Sequence, residues 1–177
     1  SIIHKAKVRR LTYGLFLESC RKVSADFPEV AVNDFHIDAA AALLVRNPDE
    51  FDVIVTTNMF GDILSDLASE LAGSLGMGAA LNAGTRKAMA QAAHGSAPSL
   101  SGKNVANPCG LMLSAGMLLQ WLSRRDQNHA LLQASVALQK TIYQTLETRG
   151  QTQDLGGTLG TQELTDAILL QLREDQQ

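Results

Sequence analysis

The stretch 51–66 restricts the fold more than any other part of this sequence. Its apolar run 53–55, Val-Ile-Val, is β-branched and short, which is typical of a strand buried on both faces of a parallel sheet. Asn58 follows and can cap a helix that continues without a breaker to Leu71. A buried strand that leads directly into a helix is typical of an α/β layer.

Two aspartates on this helix are the first candidate for chemistry. Asp62 and Asp66 are four residues apart, so their side chains share one helical face. Like charges at this spacing repel by about 0.2–0.5 kcal/mol. A bound cation or the helix dipole would offset the repulsion. An Asp-x-x-x-Asp pattern is also common on solvated helices, so the pair alone is compatible with either interpretation.

The preceding segments extend the α/β pattern. Helical spacing of apolar residues predicts a helix over 5–27, and alternation predicts a strand over 30–37. Asp38 comes at the end of that strand, where a helix over 39–45 begins. Alternating strands and helices predict a parallel sheet with functional groups at the carboxyl ends of its strands.

After Leu71 the composition changes and indicates a boundary between two lobes, 1–73 and 74–177. Four glycines in a dozen residues, at positions 73, 76, 78 and 84, favour a crossover segment rather than a continued helix. The second part is predicted to contain a buried helix over 109–122 that is apolar nearly all round, a second helix over 129–146, a loop over 151–160, and a last helix capped by Thr161 and ending at 172.

Composition excludes several classes of partner. The 177 residues are 45% hydrophobic and 19% charged with a net charge of −3, so no electrostatic footprint for nucleic acid or an anionic membrane is present. The longest apolar stretch, 111–122, is too short to span a bilayer. Cys20 and Cys109 have apolar helical neighbours and no partner motif, which predicts buried, reduced thiols and a cytoplasmic protein.

A second informative stretch is His-Gly-Ser-Ala-Pro at 94–98, followed by Ala-Asn-Pro at 106–108. Its small residues would let the backbone approach a nucleotide closely, while Asn107 and Pro108 form a good cap and first turn for the next helix. A surface loop with a capping Asn explains the same residues. No Gly-x-Gly-x-x-Gly fingerprint is present in the sequence.

Several of these stretches together resemble one enzyme family. Asn-Met-Phe-Gly-Asp-Ile-Leu-Ser-Asp-Leu (58–67), Gly-Ser-Leu-Gly-Met (73–77), His-Gly-Ser-Ala-Pro and Ala-Asn-Pro occur in the order found in isocitrate and 3-isopropylmalate dehydrogenases, and Asp-Leu-Gly-Gly (154–157) and Gly-Thr (160–161) also fit. The likeness covers the C-terminal half of a family member. It implies an α/β fold with parallel-sheet lobes of that type, incomplete at the N-terminal side. In that fold 1–73 belongs to the central dimerisation and metal-site lobe, and 74–177 is the C-terminal part of the nucleotide-binding lobe.

The resemblance also implies a catalytic and metal site. Asp38, Asp62 and Asp66 match the family's metal aspartates, and carboxylate oxygens suit Mg²⁺ or Mn²⁺. Lys5 stands at the position of the family's catalytic lysine, where a proton can be exchanged with the substrate hydroxyl. In the family, the lysine and the Asp38 equivalent reach the site of the partner subunit, so a homodimer with a shared active site is implied. Without the resemblance, Lys5 would be interpreted as a surface charge.

The cofactor segment carries both matches and departures. His94, Gly95, Ser96, Ala97 and Asn107 match the family's adenosine-binding segment, which implies NAD or NADP. The departures are Lys7 for an asparagine near the nicotinamide, Gln91 for a glutamate beside the nicotinamide ribose, and Ser99 for the aspartate of NAD-using members. A serine neither favours the bare ribose strongly nor repels a 2′-phosphate, so the sequence is compatible with either NAD or NADP.

Function follows from the resemblance. Enzymes of this family oxidise the hydroxyl of a 3-substituted malate such as isopropylmalate, isocitrate or a tartrate-like acid, and release carbon dioxide. One alternative is a non-catalytic regulatory or remnant member of the same fold family, which the three departures favour. Another is a metal-binding hydrolase, for which the sequence has neither a nucleophile elbow nor a phosphate loop.

Overall fold

The computed structural model describes residues 1–175, and its chain divides into a first unit, Ser1–Leu71, and a second unit that begins at Ala72. The predicted boundary between residues 73 and 74 lies two residues further along the chain. Each unit has its own group of buried apolar side chains. These are Ile3, Ala40, Leu44 and Leu64 in the first unit and Cys109, Ile142, Leu146, Leu164 and Ile168 in the second.

A parallel sheet organises the first unit. Its strands are β1 (Ile2–His4), β2 (Asp34–His36) and β3 (Val55–Thr56), in the order β2-β1-β3. The parallel sheet confirms the predicted α/β class. The central strand β1 was not predicted, because it is only three residues long and has no alternating pattern to identify it.

Three helices, α1 (Thr12–Ser24), α2 (Ile37–Arg46) and α3 (Asn58–Leu71), accompany the sheet. The predicted helix over 5–27 is therefore wrong at its start, where turns connect β1 to α1. In the first of these turns the carbonyl of Lys5 accepts hydrogen bonds from the backbone N–H groups of Val8 and Arg9. Lys5 thus follows a strand rather than beginning a helix.

The apolar run 53–55 is not buried on both faces as predicted. Val53 is 63% exposed and Val55 is 47% exposed. The reason is the position of β3 at the edge of the sheet, where it pairs only with β1. Asn58 is the first residue of α3 rather than a residue ahead of it, while the predicted end at Leu71 is confirmed.

The second unit combines a hairpin with three helices. Strands β4 (Ala79–Ala83) and β5 (Ala88–Ala92) pair antiparallel where only a glycine-rich crossover was predicted. The helices are α4 (Cys109–Asp126), α5 (His129–Thr148) and α6 (Thr161–Glu174), close to the predicted positions. Short 3₁₀ helices occupy Leu75–Met77, Pro98–Leu100 and Gln153–Leu155, and the first unit has one at Pro48–Glu50.

Three finer predictions need correction. Helix α4 is not buried all round, because Leu111 is 57% exposed. Thr161 is the first residue of α6 rather than its cap, and the N–H of Gly160 instead donates to Glu163 Oε2 at 2.8 Å. Cys20 is only half-buried.

The prediction for Cys109 is confirmed. It is a free, buried thiol, and burial raises its pKa to about 12. A thiol in this environment stays protonated and packs as a small apolar side chain. None of the helices in residues 1–175 combines the length and the apolar character needed to cross a membrane.

Candidate functional site

The carboxyl ends of the three parallel strands lead into the segments predicted to carry catalysis and metal binding. Lys5 follows β1, and Asp38 is the second residue of α2, which follows β2 directly. Helix α3, with Asp62 and Asp66, begins two residues after β3. Because parallel strands that pair in register end at the same edge of a sheet, the three segments start along one edge.

Lys5 and Asp38 meet at this edge. The Lys5 ammonium donates a hydrogen bond to Asp38 Oδ1 and forms an ion pair with it. That hydrogen bond, with a second from the backbone N–H of Asp38, holds the pKa of the Asp38 carboxyl below its usual value. The carboxyl is thus ionised at neutral pH, and most of its surface stays open to solvent.

Asp62 and Asp66 lie on the exposed side of α3, whereas Phe60 and Leu64 on the same helix are buried. Asn58 Nδ2 lies 3.4 Å from Asp62 Oδ2. Within residues 1–175, neither carboxylate forms an ion pair with a cation. Exposed carboxylates without a cationic partner are the hard oxygen donors that Mg²⁺ and Mn²⁺ prefer.

One chain does not gather the predicted metal ligands. In the described part of a single chain, no group of three or more His, Cys, Asp or Glu side chains is arranged to hold a metal ion. The structure pairs Asp38 with Lys5 and leaves Asp62 and Asp66 on their own helical face. The proposed metal set of Asp38, Asp62 and Asp66 therefore stays a prediction that depends on a second copy of the chain.

A hydrogen-bonded cluster supports the turn that carries Lys5, and sequence reasoning missed it. The N–H of Ala6 donates to His4 Nδ1 at 3.0 Å, so the ring proton is on Nε2, which donates to Asp34 Oδ2 at 3.0 Å. Arg21 donates to Asp34 Oδ1 at 2.5 Å. These hydrogen bonds from His4 and Arg21 lower the pKa of Asp34. Since His4 and Ala6 flank Lys5, the cluster fixes the backbone on both sides of the predicted catalytic residue.

In the second unit, the predicted adenosine segment forms an exposed turn after β5. The ring N–H at His94 Nδ1 donates to the carbonyl of Gly95 at 2.8 Å. Ala97 has a left-handed backbone with φ of 38°, which turns the chain into the 3₁₀ helix Pro98–Leu100. A Cβ placed on Gly95 would meet no atom within 4 Å. The open space beside this backbone suits the close approach of a flat ligand such as a nucleotide.

Asn107 differs from the rest of that predicted set because its side chain already has partners. It is only 9% exposed, and its Oδ1 accepts from the N–H of Cys109 at 2.9 Å, which caps α4. Its Nδ2 donates to Asp154 Oδ2 at 3.0 Å, and Ser74 Oγ donates to the same oxygen. The predicted cap is thus confirmed. Contacts of Asn107 with a cofactor would use its backbone atoms, because its side-chain amide is engaged at both ends.

Asp154 connects distant parts of the second unit. Burial alone would raise the pKa of its carboxyl, but hydrogen bonds from Ser74 and Asn107 outweigh that effect and lower it. The hydroxyl of Ser74 also accepts from the N–H of Gly76 at 2.9 Å. No periodic pattern identifies these contacts in the sequence, because Ser74 and Asp154 are 80 residues apart.

The loop before α4 is also attached to the start of α6. The carbonyl of Asn104 accepts from the N–H of Thr161 at 2.9 Å, and Asn104 Oδ1 accepts from the N–H of Gln162 at 3.0 Å. Thr161 Oγ1 donates to the carbonyl of Ala106 at 2.5 Å. The loop on the C-terminal side of the His94 turn is therefore attached by hydrogen bonds to the starts of both α4 and α6.

Comparisons with known proteins cover almost the whole chain. The sequence profile of "Isocitrate/isopropylmalate dehydrogenase" matches residues 1–168. The isocitrate/homoisocitrate dehydrogenase of Thermus thermophilus is 44% identical over 172 residues, which are 97% of this chain and 49% of that protein. The 3-isopropylmalate dehydrogenase of Archaeoglobus fulgidus is 42% identical over 166 residues, 94% of this chain and 49% of that protein.

A solved structure shows the same relationship. The chain is similar to the crystal structure of isocitrate dehydrogenase from Methylococcus capsulatus with a TM-score of 0.88 and 36% identity, over 97% of this chain and 50% of that one. The chain therefore spans about half the length of the proteins that it matches.

Proposed function

The chain belongs to the isocitrate/isopropylmalate dehydrogenase family, and we propose that it is the C-terminal portion of a metal-dependent NAD(P) oxidoreductase. The proposed reaction oxidises the hydroxyl of a 3-substituted malate and then releases one carboxylate as carbon dioxide. The substrate would be isopropylmalate, isocitrate or a tartrate-like acid.

One observation supports this proposal most strongly. The three strand ends of the parallel sheet lead into the three segments that match the family's catalytic and metal-binding motifs. Ligands of open α/β sheets bind at the carboxyl ends of the strands. The fold and the motifs therefore both indicate that the proposed active site lies at this edge of the sheet in the first unit.

The acidic side chains at this edge would hold Mg²⁺ or Mn²⁺. Asp62 and Asp66 offer exposed carboxylates on one face of α3, and Asp38 of a second copy would supply the third. When bound, the divalent cation supplies positive charge opposite the negative charge that develops on the substrate's oxygens.

Lys5 would move the proton. Its Nζ atom is held at the end of β1 by the hydrogen bond to Asp38, and it would exchange a proton with the substrate hydroxyl. The cluster of His4, Asp34 and Arg21 would keep the backbone of Lys5 in place while this happens. A homodimer in which each chain lends Lys5 and Asp38 to its partner follows from this assignment.

The turn over 94–97 and the backbone of Asn107 would bind the adenosine part of NAD or NADP. Ser99 lies exposed in the 3₁₀ helix Pro98–Leu100, where it offers a hydroxyl in place of a carboxylate. A hydroxyl can donate to a 2′-phosphate and can also accept from a ribose hydroxyl. Both cofactors therefore belong in the test.

The test is reduction of NAD or NADP with Mn²⁺ and isopropylmalate, isocitrate, tartrate or malate, using this chain and the longer protein that contains it. Turnover should fall by about 100-fold or more in the Asp62→Asn variant, because a charged ligand is lost. The matched control is Asp52→Asn, since Asp52 is exposed and has no ion pair among the described residues. Full activity of Asp62→Asn would contradict the proposal.

A non-catalytic regulatory or remnant member of the family is the second candidate. It is favoured by Lys7, Gln91 and Ser99, all of which are exposed here and depart from the family's cofactor-binding residues. A longer protein that binds Mn²⁺ but reduces neither cofactor with any of the four acids would favour this candidate.

A further inference from the structure

We propose that Lys5 competes with the divalent cation for the carboxylate of Asp38, so that binding of the cation and release of the Lys5 amine are one exchange of partners. This role rests on the proposed function and adds to the proton transfer assigned to Lys5 there. It implies an order of events at the site, because the amine becomes available to the substrate hydroxyl only after the cation has reached Asp38.

The three carboxylates predicted to bind the cation differ in their partners. Asp38 accepts a hydrogen bond from the Lys5 ammonium and forms an ion pair with it. Neither Asp62 nor Asp66 forms an ion pair in the described part of the chain. Because Lys5 and Asp38 belong to the same chain, their pair would reach the proposed site together. A cation at that site would meet two carboxylates without a cationic partner and a third whose charge Lys5 already balances.

An ammonium group and a divalent cation bind to the same feature of a carboxylate. Both are attracted by the negative charge on its oxygens, and their own positive charges repel each other at close range. Among the described residues, Asp38 Oδ1 is the acceptor that holds the Lys5 ammonium. When a cation binds to this carboxylate, the amine therefore loses the partner that holds it at the end of β1.

Both residues can change partner while their backbones stay in place. His4, directly before Lys5, is buried, and its Nδ1 accepts a hydrogen bond from the N–H of Ala6. Asp38 is the second residue of α2, and Ala40 attaches the same turn to the core of the first unit. The Asp38 side chain is 71% exposed, and Lys5 has a flexible four-carbon stem. Rotation of the two side chains is thus sufficient for the exchange.

Asp34 in the same unit is a carboxylate with a structural role, and it differs from Asp38. Both of its oxygens are engaged, Oδ1 by Arg21 at 2.5 Å and Oδ2 by His4 at 3.0 Å, and its side chain is 32% exposed. Asp38 has one cationic partner and more than twice that exposed fraction. Ion pairs at exposed positions are weak. Lys5 should therefore lower the affinity of the site for the cation without preventing its binding.

The experiment is titration of the longer protein with Mn²⁺ in the absence of substrate and cofactor, with the free ion measured by its electron paramagnetic resonance signal. In Lys5→Met, the affinity for Mn²⁺ should rise about three- to fivefold, because Asp38 loses its competing cation. Lys5→Arg keeps a cation that pairs with carboxylates and should not raise the affinity. The matched control is Lys22→Met, which removes an exposed lysine and should change the affinity less than about 1.5-fold.

The same substitution in an Asp38→Asn background distinguishes competition for Asp38 from repulsion at a distance. If Lys5 acts by occupying Asp38, Lys5→Met should change the affinity less than about 1.5-fold in a protein that already carries Asp38→Asn. Repulsion that does not involve Asp38 predicts the same gain in both backgrounds, and that result would overturn the proposal. An unchanged or lower affinity in Lys5→Met alone would overturn it as well.

Asp62→Asn separates failure of this proposal from failure of the proposed function. It should weaken Mn²⁺ binding by about tenfold or more, because it removes a proposed ligand. If it does so while Lys5→Met has no effect, Lys5 does not compete for Asp38 and the proposed metal site stands. If Asp62→Asn leaves Mn²⁺ binding unchanged, the proposed metal site and this role of Lys5 are both wrong. Thermal unfolding of each variant checks that the fold is intact.

Discussion

The two units support their candidate functional residues in different ways. In the first unit, Lys5 follows a short strand, Asp38, Asp62 and Asp66 lie on helices, and the Asp38 carboxylate is largely exposed to solvent. In the second unit, the turn at 94–97 is followed by a loop that hydrogen bonds attach to the starts of α4 and α6.

This difference distinguishes side chains proposed to take part in the reaction from side chains that hold the backbone in place. The side chains proposed to bind a cation or move a proton need access to solvent and substrate, and Asp38, Asp62 and Asp66 are exposed in the first unit. The segment proposed to bind a nucleotide through its backbone needs a fixed chain path, which buried polar side chains in the second unit would provide. Substitutions should therefore affect mainly turnover at the proposed site residues of the first unit and mainly stability at the buried residues of the second.

The largest expected effect tests the first half of this contrast. Lys5→Met in the longer protein should lower turnover by about 100- to 10,000-fold, because the amine proposed to transfer the proton is lost. Its free energy of unfolding should change by less than about 1 kcal/mol, since the Asp38 carboxylate that loses its partner is 71% exposed to solvent. Steady-state cofactor reduction and urea unfolding measure the two quantities. Lys22→Met is the control, and a comparable loss of turnover in it would remove the special role of Lys5.

Leu164→Ala tests the second half. The Leu164 side chain is fully buried in the core of the second unit, so truncation should destabilise the protein by about 2–5 kcal/mol. Leu169→Ala on the same helix, at a position that is 46% exposed, should cost less than about 1 kcal/mol. Urea unfolding of both variants checks this difference. Equal effects would mean that the core of this unit is not packed as described.

Two glycines sharpen the contrast within the second unit. A Cβ on Gly76 would lie 2.7 Å from Asn107 Cβ and 2.7 Å from Asp154 Oδ2, so Gly76→Ala should destabilise by about 1–3 kcal/mol. Gly95→Ala meets no atom and should leave stability unchanged while weakening cofactor binding. Thermal unfolding and NAD or NADP titration distinguish the two. Unchanged cofactor affinity in Gly95→Ala would argue against close approach of a ligand at that turn.

The smallest expected effect concerns pH. The pKa of Asp154 is lowered in the folded protein, so its contribution to stability is present above the usual pKa near 3.8 and is lost as pH falls through the lower folded value. Asp154→Asn should destabilise by about 0.5–1.5 kcal/mol at neutral pH, and the difference from the wild type should shrink below about pH 4. Urea unfolding of the wild type and Asp154→Asn at several pH values measures this difference in stability. Asp26→Asn is the control, and a difference that grows as the pH falls would contradict the predicted sign.

The helices were largely predictable from sequence, and two strand regions were not. The helix predicted over 129–146 has a long apolar periodicity, and the structure extends it to His129–Thr148. Its cap, Asn128, was not predicted; Asn128 Oδ1 accepts from the N–H of Ala130 at 3.1 Å. Strands β4 and β5 consist mainly of alanine with Leu, Asn, Met and Gln, which have little strand preference as a group. Contacts with α4 stabilise the two strands despite this weak strand preference. Ser114 Oγ on α4 donates to the carbonyl of Gln91 and accepts from the N–H of Ala80.

The candidate site also has residues that could be predicted from sequence and residues that could not. Lys5, Asp38, Asp62 and Asp66 were selected by resemblance, and residue patterns alone left each of them compatible with a surface charge. The cluster of His4, Asp34 and Arg21 could not be found from sequence, because β-strand pairing brings together residues 30 positions apart. Long-range polar contacts have no periodicity, so they become visible only in the folded chain.

The most direct test of the central claim, an active site shared between two copies, is complementation of two inactive variants in the longer protein. Asp38→Asn and Asp62→Asn are each expected to be inactive when alone. If Asp38 of one copy joins Asp62 of the other, a mixed population contains dimers with one intact site, and cofactor reduction should recover to about one quarter of the wild-type rate. A mixture no more active than the separate variants would contradict the shared site.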